Sequence, residues 1–186
     1  MACVPTRRLV ISHLLVIGAL ALLLAINPGN LLISNLVVAC IGLLGGVMIG
    51  RHIVSPKVLA VALMCGAAAD CISFLFGPTH FAMKQAAGTG STPVMAYLSI
   101  SVPIRSHLYS VIGLGDLWIY TACVAATRRL GWSPLPALCV PLSGILAAVA
   151  TALLFGPLPA LPFLAVPVLG YLALSRLQGA ARRVSI

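Results

Sequence analysis

From Leu9 to Leu174 the chain is a succession of apolar runs, each about as long as a helix that crosses a bilayer, parted by short turns. Such a helix takes roughly 20 apolar residues. The runs cover about residues 9–26, 31–50, 58–76, 108–127, 134–155 and 158–174. They are continuous rather than alternating in short pieces, which excludes a membrane β-barrel. Only 7% of the 186 residues are charged and 61% are hydrophobic, where a soluble domain carries about 25% charged residues. A soluble enzyme, a disordered chain and a disulfide-stapled secreted module are excluded. The expected fold is all-α: a single transmembrane domain over residues 1–186, built as a polytopic bundle of about six helices.

The turns are marked by helix breakers: Asn27-Pro28-Gly29-Asn30, Gly77-Pro78 and Gly156-Pro157. The first run follows Arg7 and Arg8 but is longer than the apolar core of a signal peptide. No small-x-small cleavage site precedes its turn, so it reads as a first span. In the second run, Gly42, Gly45, Gly46 and Gly50 form a small-residue face where another helix can come close. With the N-terminus in the cytoplasm, Arg7, Arg8, Arg51, Lys57, Arg128, Arg129, Arg176, Arg182 and Arg183 fall on the cytoplasmic side. Only Lys84 and Arg105 fall on the other. That bias predicts a multi-pass integral membrane protein with both termini cytoplasmic. The net charge of +9 is spread singly and in pairs at the ends of apolar runs, so no nucleic-acid partner is expected. The 6 cysteines lie mostly inside apolar runs without zinc-like spacing, and the 4 histidines are scattered. No metal or other cofactor is expected. Trp118 and Trp132 read as packing and interface anchors.

The chain has no glutamate and two aspartates, Asp70 and Asp116, each inside an expected span. An acid in the hydrocarbon costs at least about 2.5 kcal/mol on insertion scales, so its default reading is functional. At 1.5 Å per residue, Asp70 lies roughly 9 Å from the outer end of the third span and Asp116 roughly 12 Å into the fourth. The two spans run in opposite directions, so both acids are expected at about one level. Two carboxyls that face each other cannot both ionise, so they share one proton. One can then take a proton from water while the other donates to a carbonyl oxygen, which hydrolyses an amide without a covalent intermediate. Neither role can be assigned to one residue, because the titration belongs to the pair.

Around the second acid the chain reads Gly113-Leu114-Gly115-Asp116. A G-x-G-D tetrad in a membrane span resembles that of the GxGD intramembrane aspartyl proteases, the presenilin and signal peptide peptidase family. The glycines leave the backbone bare, so that a substrate strand can approach the acid. The family carries its first aspartate on the preceding span, usually after Tyr; here Asp70 follows Ala69. It also carries Pro-Ala-Leu at the start of its last span, where this chain has Pro159-Ala160-Leu161. A second copy, Pro136-Ala137-Leu138, lies on the opposite side in the expected topology. The resemblance covers about residues 58–174, and the six expected spans would correspond to the last six of the family's usual nine. It implies an endopeptidase with Asp70 and Asp116 catalytic. Gly113, Leu114, Gly115, Pro159, Ala160 and Leu161 would stand against the substrate, a transmembrane peptide reached within the lipid bilayer.

Between the acids, Ala96 to Val102 alternates apolar and small polar residues, which predicts a short strand. A strand edge there can receive an extended substrate, with Leu98 and Ile100 as contacts. The alternative reading is a surface loop resting on the membrane. Pro78 to Ala87 reads as a short interfacial helix or a linker. Three other functions compete with the protease, one of them a non-catalytic binding protein that retains the fold. The prepilin peptidases also combine two membrane aspartates with G-x-G-D, but usually add a Lys after the tetrad and cysteine pairs, whereas Leu117-Trp118 follows here. A small proton or ion transporter would use Asp70 and Asp116 as a relay.

Overall fold

The computed structural model describes residues 7–26, 30–77, 99–104, 107–155 and 158–184. Six helices and one two-stranded ribbon follow in order: α1 Arg7–Ile26, α2 Leu31–His52, α3 Pro56–Phe76, β1 Ser99–Ile104, β2 His107–Gly113, α4 Leu114–Arg129, α5 Pro134–Phe155 and α6 Leu161–Val184. Three of them, α2, α3 and α5, are long and apolar enough to cross a membrane, and Leu161–Arg176 in α6 is a shorter apolar helix. The chain is therefore a helical protein with the spans of a membrane protein.

Capping groups set the helix starts. Asn30 accepts the Ile33 N–H on its side-chain oxygen at 3.2 Å, and Ser55 accepts the Val58 N–H at 3.2 Å with Pro56 at the first helical position. The end of α4 closes differently. Trp132 N–H reaches back to the Thr127 carbonyl at 3.0 Å and Gly131 N–H to the Arg128 carbonyl at 3.2 Å. This is the pairing of a Schellman motif, and Gly131 provides its left-handed residue at φ 90.

Two corrections to the sequence reading concern the fourth and sixth spans. Residues 107–113 do not begin a helix: β2 pairs antiparallel with β1, from Ser99 opposite Gly113 to Ile104 opposite His107, with an irregularity between Ile100 and Ser101. The run His107-Leu108-Tyr109-Ser110-Val111-Ile112 is rich in β-branched and aromatic types that suit a pleated ribbon. Helix α4 then has 16 residues, and Asp116 lies in its first turn rather than two turns inside. The alternation read at residues 96–102 becomes a strand at Ser99–Ile104; Ala96 to Leu98 and the segment Pro78 to Ala87 lie outside the described residues. Helix α6 starts at Leu161, with Leu158 and Pro159 outside any regular element before it. It continues to Val184, because an amphipathic end needs no apolar run to stay helical.

The chain divides into two compact units. The first comprises residues 1–50 and 82–122. Here the small-residue face of α2 meets α4. A methyl group on Gly42 would come within 2.8 Å of the Leu117 Cβ, and one on Gly45 within 2.6 Å of Trp118 Nε1. On Gly46 it would collide with the Thr121 hydroxyl. The two backbones can approach this closely only because α2 carries no side chain at these places. Polar groups bridge the gap: Trp118 Nε1 donates to the Ile41 carbonyl at 3.0 Å, and the Thr121 hydroxyl lies 3.1 Å from the Gly42 carbonyl and 2.8 Å from that of Leu117.

The second unit comprises residues 51–81 and 123–186. Helix α6 packs against both α3 and α5. It offers buried Leu164, Ala165, Val168 and Leu172. Helix α5 answers with Ala137, Pro141, Gly144, Ile145 and Ala148, spaced three and four apart so that they share one face. At Gly144 an added methyl would lie 2.6 Å from the Leu164 Cα, so the two backbones touch there. Leu59 and Leu63 are the buried residues of α3. Gly66 and Asp70 continue their stripe at helical spacing.

Candidate functional site

The two aspartates belong to different units, Asp70 to the second and Asp116 to the first, and each is tied to a helix start within its own unit. Asp70 lies in the last third of α3, one turn beyond Gly66 on the same stripe. Gly66 leaves room for α6: a methyl there would be 3.8 Å from the Leu161 Cδ1. Into this space the carboxylate of Asp70 accepts the backbone N–H of Leu161 on Oδ2 at 3.0 Å. Leu161 is the first residue of α6, so its N–H is one of the four that a helix start leaves without an intrahelical partner. The carboxylate also meets the positive end of the α6 dipole. Pro159 and Ala160 lead into this contact, and Pro162 occupies the first turn, where a missing N–H costs nothing. Thus Asp70 and Leu161 of Pro-Ala-Leu, distant in sequence, meet directly.

The second copy, Pro136-Ala137-Leu138, lies in the first turns of α5. Ala137 is buried while Leu138 is exposed, and none of the three contacts an acid through a described hydrogen bond.

Asp116 is set by its own tetrad. Gly113 ends β2, and Leu114 and Gly115 open α4. The Asp116 carboxylate reaches back to accept the Gly113 N–H on Oδ2 at 3.1 Å. This is the acid arm of a capping box, in which the third helical residue satisfies the amide of the capping residue. The two glycines differ in purpose. A methyl on Gly113 would press to 3.2 Å from the Asp116 Oδ2, whereas one on Gly115 would meet nothing within 4 Å. The first glycine lets the carboxylate fold back on the turn. The second leaves open space at the start of α4.

The remaining expected substrate contacts are placed as follows. Ile100 lies in β1, paired with Ile112, and Leu98 lies outside the described residues. Leu114 is half-buried at the start of α4. Among the described residues no group of His, Cys, Asp and Glu could hold a metal ion. The capping role of both acids escaped sequence reasoning. For Asp116 the signal was available: an acid three residues after a strand-ending glycine is a helix-start pattern. For Asp70 it was not, because its partner is a backbone amide from a distant helix.

Compared with protein-family models, with curated proteins and with solved structures, the chain finds no match.

Proposed function

We propose that this chain is an intramembrane aspartyl endopeptidase that hydrolyses peptide bonds of transmembrane segments. The observation that carries the reading is the bond between the Asp70 carboxylate and the Leu161 amide. It joins the first acid to Pro-Ala-Leu, two elements that the resemblance to the GxGD proteases associates with one site. The open space at Gly115, the residue before the second acid, adds to it.

In the proposed mechanism Asp70 and Asp116 hold one proton between them. The ionised carboxylate takes a proton from a water molecule, whose oxygen attacks the scissile carbonyl carbon. The protonated one gives its proton to the carbonyl oxygen, forming a tetrahedral diol. Collapse of the diol breaks the C–N bond as a carboxyl group delivers a proton to the leaving amine. A carboxylate has about four lone-pair sites, so an Asp70 that accepts one amide keeps acceptor capacity for the water. An edge of the β1–β2 ribbon, which leads into the tetrad, would receive the substrate as an added strand.

Six spans with both termini in the cytoplasm complete the proposal, with substrates whose N-termini face the cytoplasm, as in signal peptides and type II anchors. The test is cleavage of a synthetic transmembrane peptide by the purified protein in detergent, blocked by an aspartyl-protease transition-state analogue. Proton flux in liposomes without any peptide cleavage would assign the two acids to a transporter instead.

A further inference from the structure

The second unit gathers an unpaired basic belt at one end. Arg51 and His52 close α2, Lys57 lies in the first turn of α3, and Arg128 and Arg129 close α4. Arg129 donates to the Arg51 carbonyl, which holds the ends of α2 and α4 side by side. Arg128 donates to the Trp132 carbonyl at 2.6 Å. The Trp132 ring lies on Tyr171 of α6, with centroids 4.2 Å apart, and Arg176 follows little more than one turn later. The register of α3 against α6 agrees. From the Asp70–Leu161 contact, Lys57 lies roughly 20 Å down α3 and Arg176 roughly 22 Å along α6, at 1.5 Å per residue. All six basic side chains are exposed.

No acid is near this end. The chain has 2 acidic residues against 11 Lys and Arg. Asp70 is committed to the opposite end of α3, and Asp116 opens the helix that Arg128 and Arg129 close. Each guanidinium has five N–H donors, and the bonds to carbonyls just named use one apiece. The acidic side chains of the chain therefore leave these cations without a counter-charge. An exposed basic ring beside a stacked Trp–Tyr pair, at the end of long apolar helices, has the make-up of a membrane–water interface.

We propose that this belt is a binding surface for anionic phospholipid headgroups, in which Arg128, Arg129, Lys57 and Arg176 grip phosphate while Trp132 and Tyr171 stand at the headgroup level. Guanidinium groups suit phosphate because they bind it in pairs of N–H bonds. The anionic cytoplasmic leaflet is the surface that such a belt would meet.

The test titrates the full chain, in a non-ionic detergent, with phosphatidylglycerol or phosphatidylcholine and counts bound lipids by native mass spectrometry. Phosphatidylglycerol is expected to bind at least about tenfold more tightly. Each charge removed by Lys57→Gln, Arg176→Gln, Arg128→Gln or Arg129→Gln should weaken it by about fivefold. Lys57→Gln and Arg176→Gln leave the carbonyl bonds of α2 and α4 intact, so they remain informative if the α4 variants unfold. Arg7→Gln/Arg8→Gln, which removes two charges outside the belt at the start of α1, should cost less than any single belt variant. Equal binding of the two lipids, or an equal loss in the α1 variant, would overturn the proposal. So would displacement of the bound lipid by an equal concentration of inorganic phosphate, which would assign the belt to a soluble anion.

Discussion

Asp70 and Leu161 are joined by one hydrogen bond, from the first amide of α6 to the carboxylate at 3.0 Å. A single side chain thus starts a helix and stands as a candidate catalyst. The two roles can be separated by the choice of substituent.

Asp70→Asn keeps an oxygen that can accept the Leu161 amide, and Asp116→Asn keeps one for Gly113. Both variants should stay folded and lose cleavage by at least about 100-fold, because an amide can neither take up nor release the proton. Asp70→Ala should in addition destabilise the fold by about 1–2 kcal/mol, the cost of an unmet helix-start amide. Peptide cleavage and denaturant titration in detergent measure the two effects. Near-normal cleavage by either Asn variant would end the two-acid mechanism.

Leu161→Ala should lower cleavage, while Leu138→Ala should leave it close to wild type. The side chain of Leu161 lies against Gly66, one turn from Asp70, whereas Leu138 is exposed on α5. Ala137 is a poor control, because it is fully buried and any larger residue there would disturb packing. Equal sensitivity at positions 161 and 138 would remove the assignment of Pro-Ala-Leu.

Gly115→Ala separates stability from activity. The new methyl meets nothing within 4 Å and replaces a poor helix former by a good one, worth up to about 1 kcal/mol in stability. Cleavage should nevertheless fall by about tenfold or more, because the methyl fills the space where a substrate strand would approach. A variant that gains stability and keeps full activity would show that the gap serves no substrate.

The orientation can be read by labelling Ser91→Cys and Ser185→Cys from outside intact cells, in a background without native cysteines. Labelling at 91 and protection at 185 is the expected result. The reverse would invert the topology and turn the substrate class to segments with a cytoplasmic C-terminus.

Gly46→Ala should weaken the first unit by about 1–3 kcal/mol through overpacking, since its methyl would collide with Thr121. Gly18→Ala on α1, where the methyl meets nothing within 4 Å, should be neutral or mildly stabilising.

Hydropathy made the long helices legible. The run 134–155 coincides with α5, and 31–50 and 58–76 differ from α2 and α3 by two residues at one end. The glycine face of α2 was legible for the same reason: spacing along one helix is local information. Residues 108–113 were not, because an apolar run before a helix carries the same hydropathy whether it is coiled or extended. The partner that decides is the strand at residues 99–104, outside the run itself. For Asp116 this moved the acid from mid-helix to the helix start, where its carboxylate has an amide to bind. The bond from Asp70 to Leu161 depends on how α3 packs on α6, which no local pattern encodes.

The seam between α2 and α4 also bears on how the protein can be handled. Its cohesion comes from atoms in contact at Gly42, Gly45 and Gly46, and from Trp118 and Thr121 bonded to the carbonyls of Ile41 and Gly42. Neither force depends on expelling water, since lipid tails are as apolar as the side chains they would replace. Exchange of lipid for detergent removes neither the contacts nor these hydrogen bonds. The helix that carries Asp116 should therefore keep its hold on α2 through solubilisation.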